Sequence, residues 1–122
     1  MRVILDTNIL VAALISPSGP PAAILQAFLD ERFTLVTCEP QLEELRRVTR
    51  DPKMRERLKP AEAGTLVNQL RMLAFMPKRL GKIERSGADY LVTGDKSGLL
   101  DLRKHGRTRI VTARGFSKLL GD

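Results

Sequence analysis

Arg2-Val3-Ile4-Leu5-Asp6-Thr7-Asn8 carries three consecutive apolar residues into an acid, an alcohol and an amide. The apolar run reads as a short buried strand. Asp6, Thr7 and Asn8 carry side-chain oxygens of the kind that cap a helix. A strand therefore delivers Asp6 to a helix start. The segment Asp89-Tyr90-Leu91-Val92-Thr93-Gly94-Asp95 repeats the arrangement, an apolar strand ending on an aspartate. Outward from these two segments, the helix after Asn8 stops near Ser16, where Pro17, Gly19, Pro20 and Pro21 make a turn. A second helix is expected over Ala22 to Glu31, with Ile24, Leu25, Phe28 and Leu29 on one face. A β-rich run follows at Phe33 to Thr37. Pro40 opens a helix with Leu42, Leu45 and Val48 inward, Asp51-Pro52 ends it, and Pro60 begins another through Leu66, Leu70 and Leu73. After the Asp89 strand, the reading is a short helix near Ser97 to Lys104, a strand at Arg109 to Val111 and a terminal helix from Ala113 to Leu120. Unbroken apolar strands separated by helices imply a three-layer α/β/α sandwich with a mainly parallel central sheet. In such sheets ligands collect outside the strand carboxyl ends, where Asp6 and Asp95 both fall.

The 122 residues suit one domain, 1–122, with a single core. Apolar residues at 43% and charged residues at 29% are globular values, which argues against disorder. The longest apolar run, Ile9 to Ile15, is too short to span a bilayer, and Asp6 lies too close to Met1 for a secretory leader. No membrane partner and a cytoplasmic location are therefore expected. Cys38 is the only cysteine and His105 the only histidine, which excludes a disulfide framework within the chain and any site needing two histidines. Cys38 is expected to be a small buried apolar residue.

A net charge of +7 favours an anionic partner, since clustered cations attract phosphates and gain from counterion release. The basic residues are spread over Arg46/Arg47/Arg50, Lys53 to Lys59, Lys78/Arg79/Lys82 and Arg103 to Arg109, a pattern that a solvated surface also produces. Aromatic content of 4% with no tryptophan argues against a base-stacking platform, so bound RNA would be held by its backbone.

Leu5-Asp6-Thr7-Asn8, the helical Glu43-Glu44-Leu45 and Val92-Thr93-Gly94-Asp95 together resemble the first, second and fourth acidic positions of PIN-domain nucleases. Ser16 to Pro21 is similar to a segment that recurs in the toxin components of toxin-antitoxin systems. The resemblance implies a metal-dependent endoribonuclease, with RNA as substrate and an antitoxin protein as partner. It also implies Asp6, Glu44 and Asp95 as the catalytic ligands of Mg2+ or Mn2+, and Asn8 and Thr93 as supporting polar groups. Such a cluster suits the chemistry, because hard divalent cations prefer oxygen ligands and can activate water and steady the oxygens of a phosphodiester. The three acids are accordingly expected to converge at the strand carboxyl ends.

The chain departs from the family pattern in one place. Members usually carry consecutive aspartates at the start of a helix leading into the Gly-Ala-Asp-Tyr-Leu strand. Here Lys78-Arg-Leu-Gly-Lys-Ile-Glu-Arg is all that separates Pro77 from Ser86, too short for an acidic turn and a helix of roughly ten residues. Glu84 is the sole carboxylate in it. The loss of a ligand favours a second reading, a nuclease-deficient module that binds an antitoxin or RNA. The loss of a helix favours a homodimer in which a second protomer covers the sheet. A third reading, phosphotransfer with Asp6 as nucleophile, suffers because Asn8 stands where such enzymes usually carry a second aspartate.

Overall fold

The computed structural model describes residues 1–77, 87–94, 104–105 and 107–121. Its five strands are β1 (Arg2–Leu5), β2 (Thr34–Leu35), β3 (Tyr90–Val92), β4 (Lys104–His105) and β5 (Thr108–Val111). They form one sheet in the order β2-β1-β3-β5-β4. The first four in that order run parallel and β4 is antiparallel. Among the described residues the helices are α1 (Thr7–Ile15), α2 (Pro20–Leu29), α3 (Glu39–Thr49), α4 (Pro60–Leu73) and α5 (Ala113–Leu119), with a 3-10 turn at Pro52–Met54. The mainly parallel α/β/α architecture is the one the sequence implies.

Strand alternation sorts the core. Val3, Leu5, Leu35 and Val92 join Ile24, Phe28, Phe33 and Phe116 in the principal cluster. There the Phe33 and Phe116 rings meet edge to face at 5.5 Å, and Tyr90 lies 5.4 Å from Phe116. The intervening residues Ile4, Leu91 and Ile110 face the other way and form a smaller cluster with Val36 and Ala88. Helix α1 explains the longest apolar run. It packs against both α2 and α3, so Ile9, Leu10, Val11 and Ala13 are buried around much of its circumference. Among the described residues no single helix is long and apolar enough to cross a membrane.

Several element edges shift by one or two residues, α2 spanning Pro20–Leu29 rather than Ala22 to Glu31, and two differences are larger. The run Phe33 to Thr37 yields a strand of only two residues, because Phe33 turns into the aromatic cluster and Thr37 N–H donates to the Phe75 carbonyl rather than to β1. Lys104, expected at the end of a helix, instead pairs with Arg109 in β4, and His105 pairs with Thr108. That register leaves two residues between the paired positions, the spacing of a tight hairpin. The rest of the expected helix, 97–103, lies outside the described residues, as does the shortened connection 78–86. Cys38 is buried, as its type suggested.

Candidate functional site

Asp6 sits at the carboxyl end of β1 because its backbone is tied on both sides. Its N–H donates to the Val92 carbonyl of β3 at 3.0 Å, and its own carbonyl accepts from Ile9 N–H at 2.9 Å as α1 begins. The side chain is split between two partners. Oδ1 accepts from Asn8 N–H at 3.4 Å, a long helix-capping bond. Oδ2 accepts from Thr93 Oγ1 at 2.9 Å. Thr93 is buried and in register beyond β3, where its N–H donates to the Val111 carbonyl at 3.0 Å. Three neighbouring parallel strands thus fix the direction of one carboxylate.

Helix α3 supplies the opposite wall. Gln41 lies in its first turn, where Nε2 donates to the Leu5 carbonyl at 2.7 Å and Oε1 accepts from Thr37 Oγ1 at 2.6 Å. Leu5 is the residue before Asp6, so Gln41 staples the end of β1 to the start of α3. Glu44 is three residues further, on the same helical face. Asp6, Thr7, Gln41, Glu44 and Thr93 line one cavity of about 420 Å³, and Ile4 and Leu91 contribute apolar surface to it. Glu43 opens instead onto the neighbouring depressions along α3.

The structure therefore brings Asp6, Glu44 and Thr93 to one cavity. Asn8 contributes its backbone N–H, while its side chain is exposed and does not line the cavity. Asp95 lies outside the described residues, although β3 carries the chain as far as Gly94 beside Thr93. Sequence reasoning missed Gln41 and Thr7. The spacing of Gln41 three positions before Glu44 puts the two on one helical face, although it does not reveal the partners of Gln41.

Asp89 belongs elsewhere. It precedes β3, at the end of the sheet opposite Asp6, where it accepts from Arg2 N–H at 2.8 Å and from Arg107 at 3.1 Å. Those two bonds, the Arg2 backbone first, hold its carboxyl below the usual carboxylate range. Glu39 at the start of α3 is likewise engaged, paired with Arg71 of α4 at 2.7 Å, and this raises the Arg71 guanidinium further.

The side-chain atoms of the cavity able to ligate a metal are all oxygens: two carboxylates, two threonine hydroxyls and the Gln41 amide oxygen, the last already accepting from Thr37. That chemistry fits Mg2+ or Mn2+ and does not fit a soft metal. Among the described residues no group of three His, Cys, Asp or Glu side chains is close enough to hold a metal.

Residues 2–84 match the PIN domain family, and the chain belongs to it. Asp6 and Glu44 fall inside the matched residues; Thr93 and Asp95 fall beyond them. An uncharacterized protein of Methanocaldococcus jannaschii, MJ1680, is 34% identical over 58 residues, 48% of this chain and 37% of that protein. The match thus spans little more than a third of the length of that curated relative. No solved structure matches the chain. PIN domains are commonly nucleases that act on RNA with divalent metal ions.

Proposed function

We propose that this chain is a metal-dependent endoribonuclease that hydrolyses RNA phosphodiester bonds, the toxin of a toxin-antitoxin pair, working in the cytoplasm as a homodimer and as a single domain over 1–122. The observation that carries the reading is the cavity in which Asp6, oriented by Thr93, faces Glu44 across the end of β1. Asp6, Glu44 and Asp95 are the proposed ligands. Asn8 and Thr93 support them, Asn8 through its backbone and Thr93 through its hydroxyl. When bound there, Mg2+ or Mn2+ would supply Lewis-acid polarisation of the phosphate and activation of water.

The residues of the chain prepare that chemistry. Thr93 fixes one oxygen of Asp6 by donating to it, and the Asn8 N–H holds the other, so the carboxylate is oriented from two sides. Gln41 holds the Glu44 helix against β1, so the distance between the two acids is set by a hydrogen-bonded brace rather than by a loop. Ile4 and Leu91 present apolar surface beside the acids, which strengthens electrostatic contacts in the cavity.

The test is cleavage of a single-stranded RNA by the wild-type chain and by Asp6→Asn at several Mg2+ concentrations. The substitution is isosteric, so folding should be nearly unchanged while metal-dependent cleavage falls by about 100-fold or more, the scale for losing one preorganised electrostatic group from an active site. Equal cleavage by both proteins would contradict the assignment. A second reading rests on a feature of the sequence, the short connection between Pro77 and Ser86, which lacks the consecutive aspartates that family members usually carry there. In that reading the chain binds an antitoxin or RNA without cutting. Wild-type cleavage that is weak but rises with Mg2+ supports the nuclease with a depleted ligand set. No cleavage at any Mg2+ concentration supports the binding module.

A further inference from the structure

The arginines that the sequence spreads over α3 do not stay spread. Arg46, Arg47 and Arg50 line one open depression of about 540 Å³, with Glu43, Asp51 and Pro52 completing it. Between it and the Asp6 cavity lies a smaller depression lined by Pro40, Glu43, Glu44 and Arg47. The neighbours share walls: Pro40 and Glu44 border both the cavity and the small depression, and Glu43 and Arg47 border both depressions. One groove therefore runs along α3 from the carboxylates to the guanidiniums. Arg47 stands three residues, less than one helical turn, beyond Glu44, and Arg50 three residues further.

We infer that Arg46, Arg47 and Arg50 form a docking track for the phosphates of a single-stranded RNA that leaves the Asp6 cavity along α3. The inference rests on the proposed nuclease reading for the identity of the polymer. Three guanidiniums face two carboxylates in the depression, and one of those, Asp51, already accepts from Lys53 N–H at 3.0 Å. Among the described residues no carboxylate is paired with any of the three arginines. Their donors are thus open to an incoming anion, and the planar fork of arginine suits two phosphate oxygens at once. No aromatic ring lines the depression, so bases have nothing to stack on and the groove reads the backbone, not the sequence. Cations in the last turn also complement the negative end of the helix dipole. That role calls for charge near the helix end and is indifferent to a groove connected with the cavity.

The experiment is binding of a short labelled single-stranded RNA by fluorescence anisotropy in EDTA, where no cleavage occurs, over a range of salt concentrations. The variants are the triple Arg46→Gln/Arg47→Gln/Arg50→Gln and a control of equal charge loss outside the groove, Arg55→Gln/Arg57→Gln/Lys59→Gln. Glutamine keeps helix propensity, so α3 is retained. The groove triple should weaken binding by at least about tenfold. It should also flatten the slope of log K against log salt by about 2, at about 0.7 for each phosphate of the single strand that is no longer neutralised. The control should change neither quantity comparably. If the triple does not fold, Arg47→Gln alone should flatten the slope by about 0.7. Unchanged affinity and slope, or an equal loss in the control, would overturn the track. Because the assay contains no metal, its outcome is separate from that of the nuclease reading, which stands or falls on Asp6-dependent cleavage.

Discussion

Asp6 does two jobs with one carboxylate, capping α1 through Oδ1 and receiving the Thr93 hydroxyl on Oδ2. The capping bond at 3.4 Å is long, and an asparagine at position 6 retains a carbonyl oxygen to accept it, which is why Asp6→Asn is expected to spare the fold. Asp89 is an aspartate of another kind, a structural clamp between β1 and the entry to β3. Its folded-state ionisation lies below the ordinary carboxylate value, so the stability it lends is complete above the unfolded value of about 3.9 and is lost as pH falls through the lower folded value. The gap in urea stability between wild type and Asp89→Asn should accordingly be full near neutrality and close on acidification below about pH 4. A gap that stays constant to the lowest pH would show that the charge of Asp89 is not what matters.

At the scale of elements, the brace between β1 and α3 decides whether Glu44 faces Asp6 at all. In Gln41→Leu the Leu5 carbonyl loses its side-chain donor and the Thr37 hydroxyl its acceptor. The expected cost is about 1–3 kcal/mol in urea unfolding, together with a higher Mg2+ requirement for cleavage. A stability loss with an unchanged Mg2+ requirement would make Gln41 purely structural. Most elements could be read from the sequence because their signals are local. Proline opens α2, α3 and α4, aspartate caps α1, and apolar runs fill β1 and β3. The brace was not legible, because Gln41 and Leu5 are 36 residues apart and nothing in a glutamine announces its acceptor. The same holds for Thr93, whose bond to Asp6 spans 87 residues and follows only once β1 and β3 are known to be parallel neighbours. The brevity of β2 was hidden too, since the pull of Phe33 into the aromatic cluster is a tertiary effect that outweighs strand propensity.

For the whole molecule, the carboxyl end of β1 and the first turns of α3 bring Asp6 and Glu44 to one cavity, and a basic helix face leads away from them. Three of the chain's cations, Arg46, Arg47 and Arg50, thereby stand beside the carboxylates, the placement that the proposed phosphate track requires. The central claim is that Asp6 and Glu44 together hold a divalent cation, and isothermal titration with Mn2+ tests it most directly. Wild type should bind, while Asp6→Asn and Glu44→Gln should each weaken binding by about tenfold or more with little change in thermal unfolding midpoint, because each removes one anionic oxygen ligand from a hard cation. Identical Mn2+ isotherms for all three proteins would contradict the account.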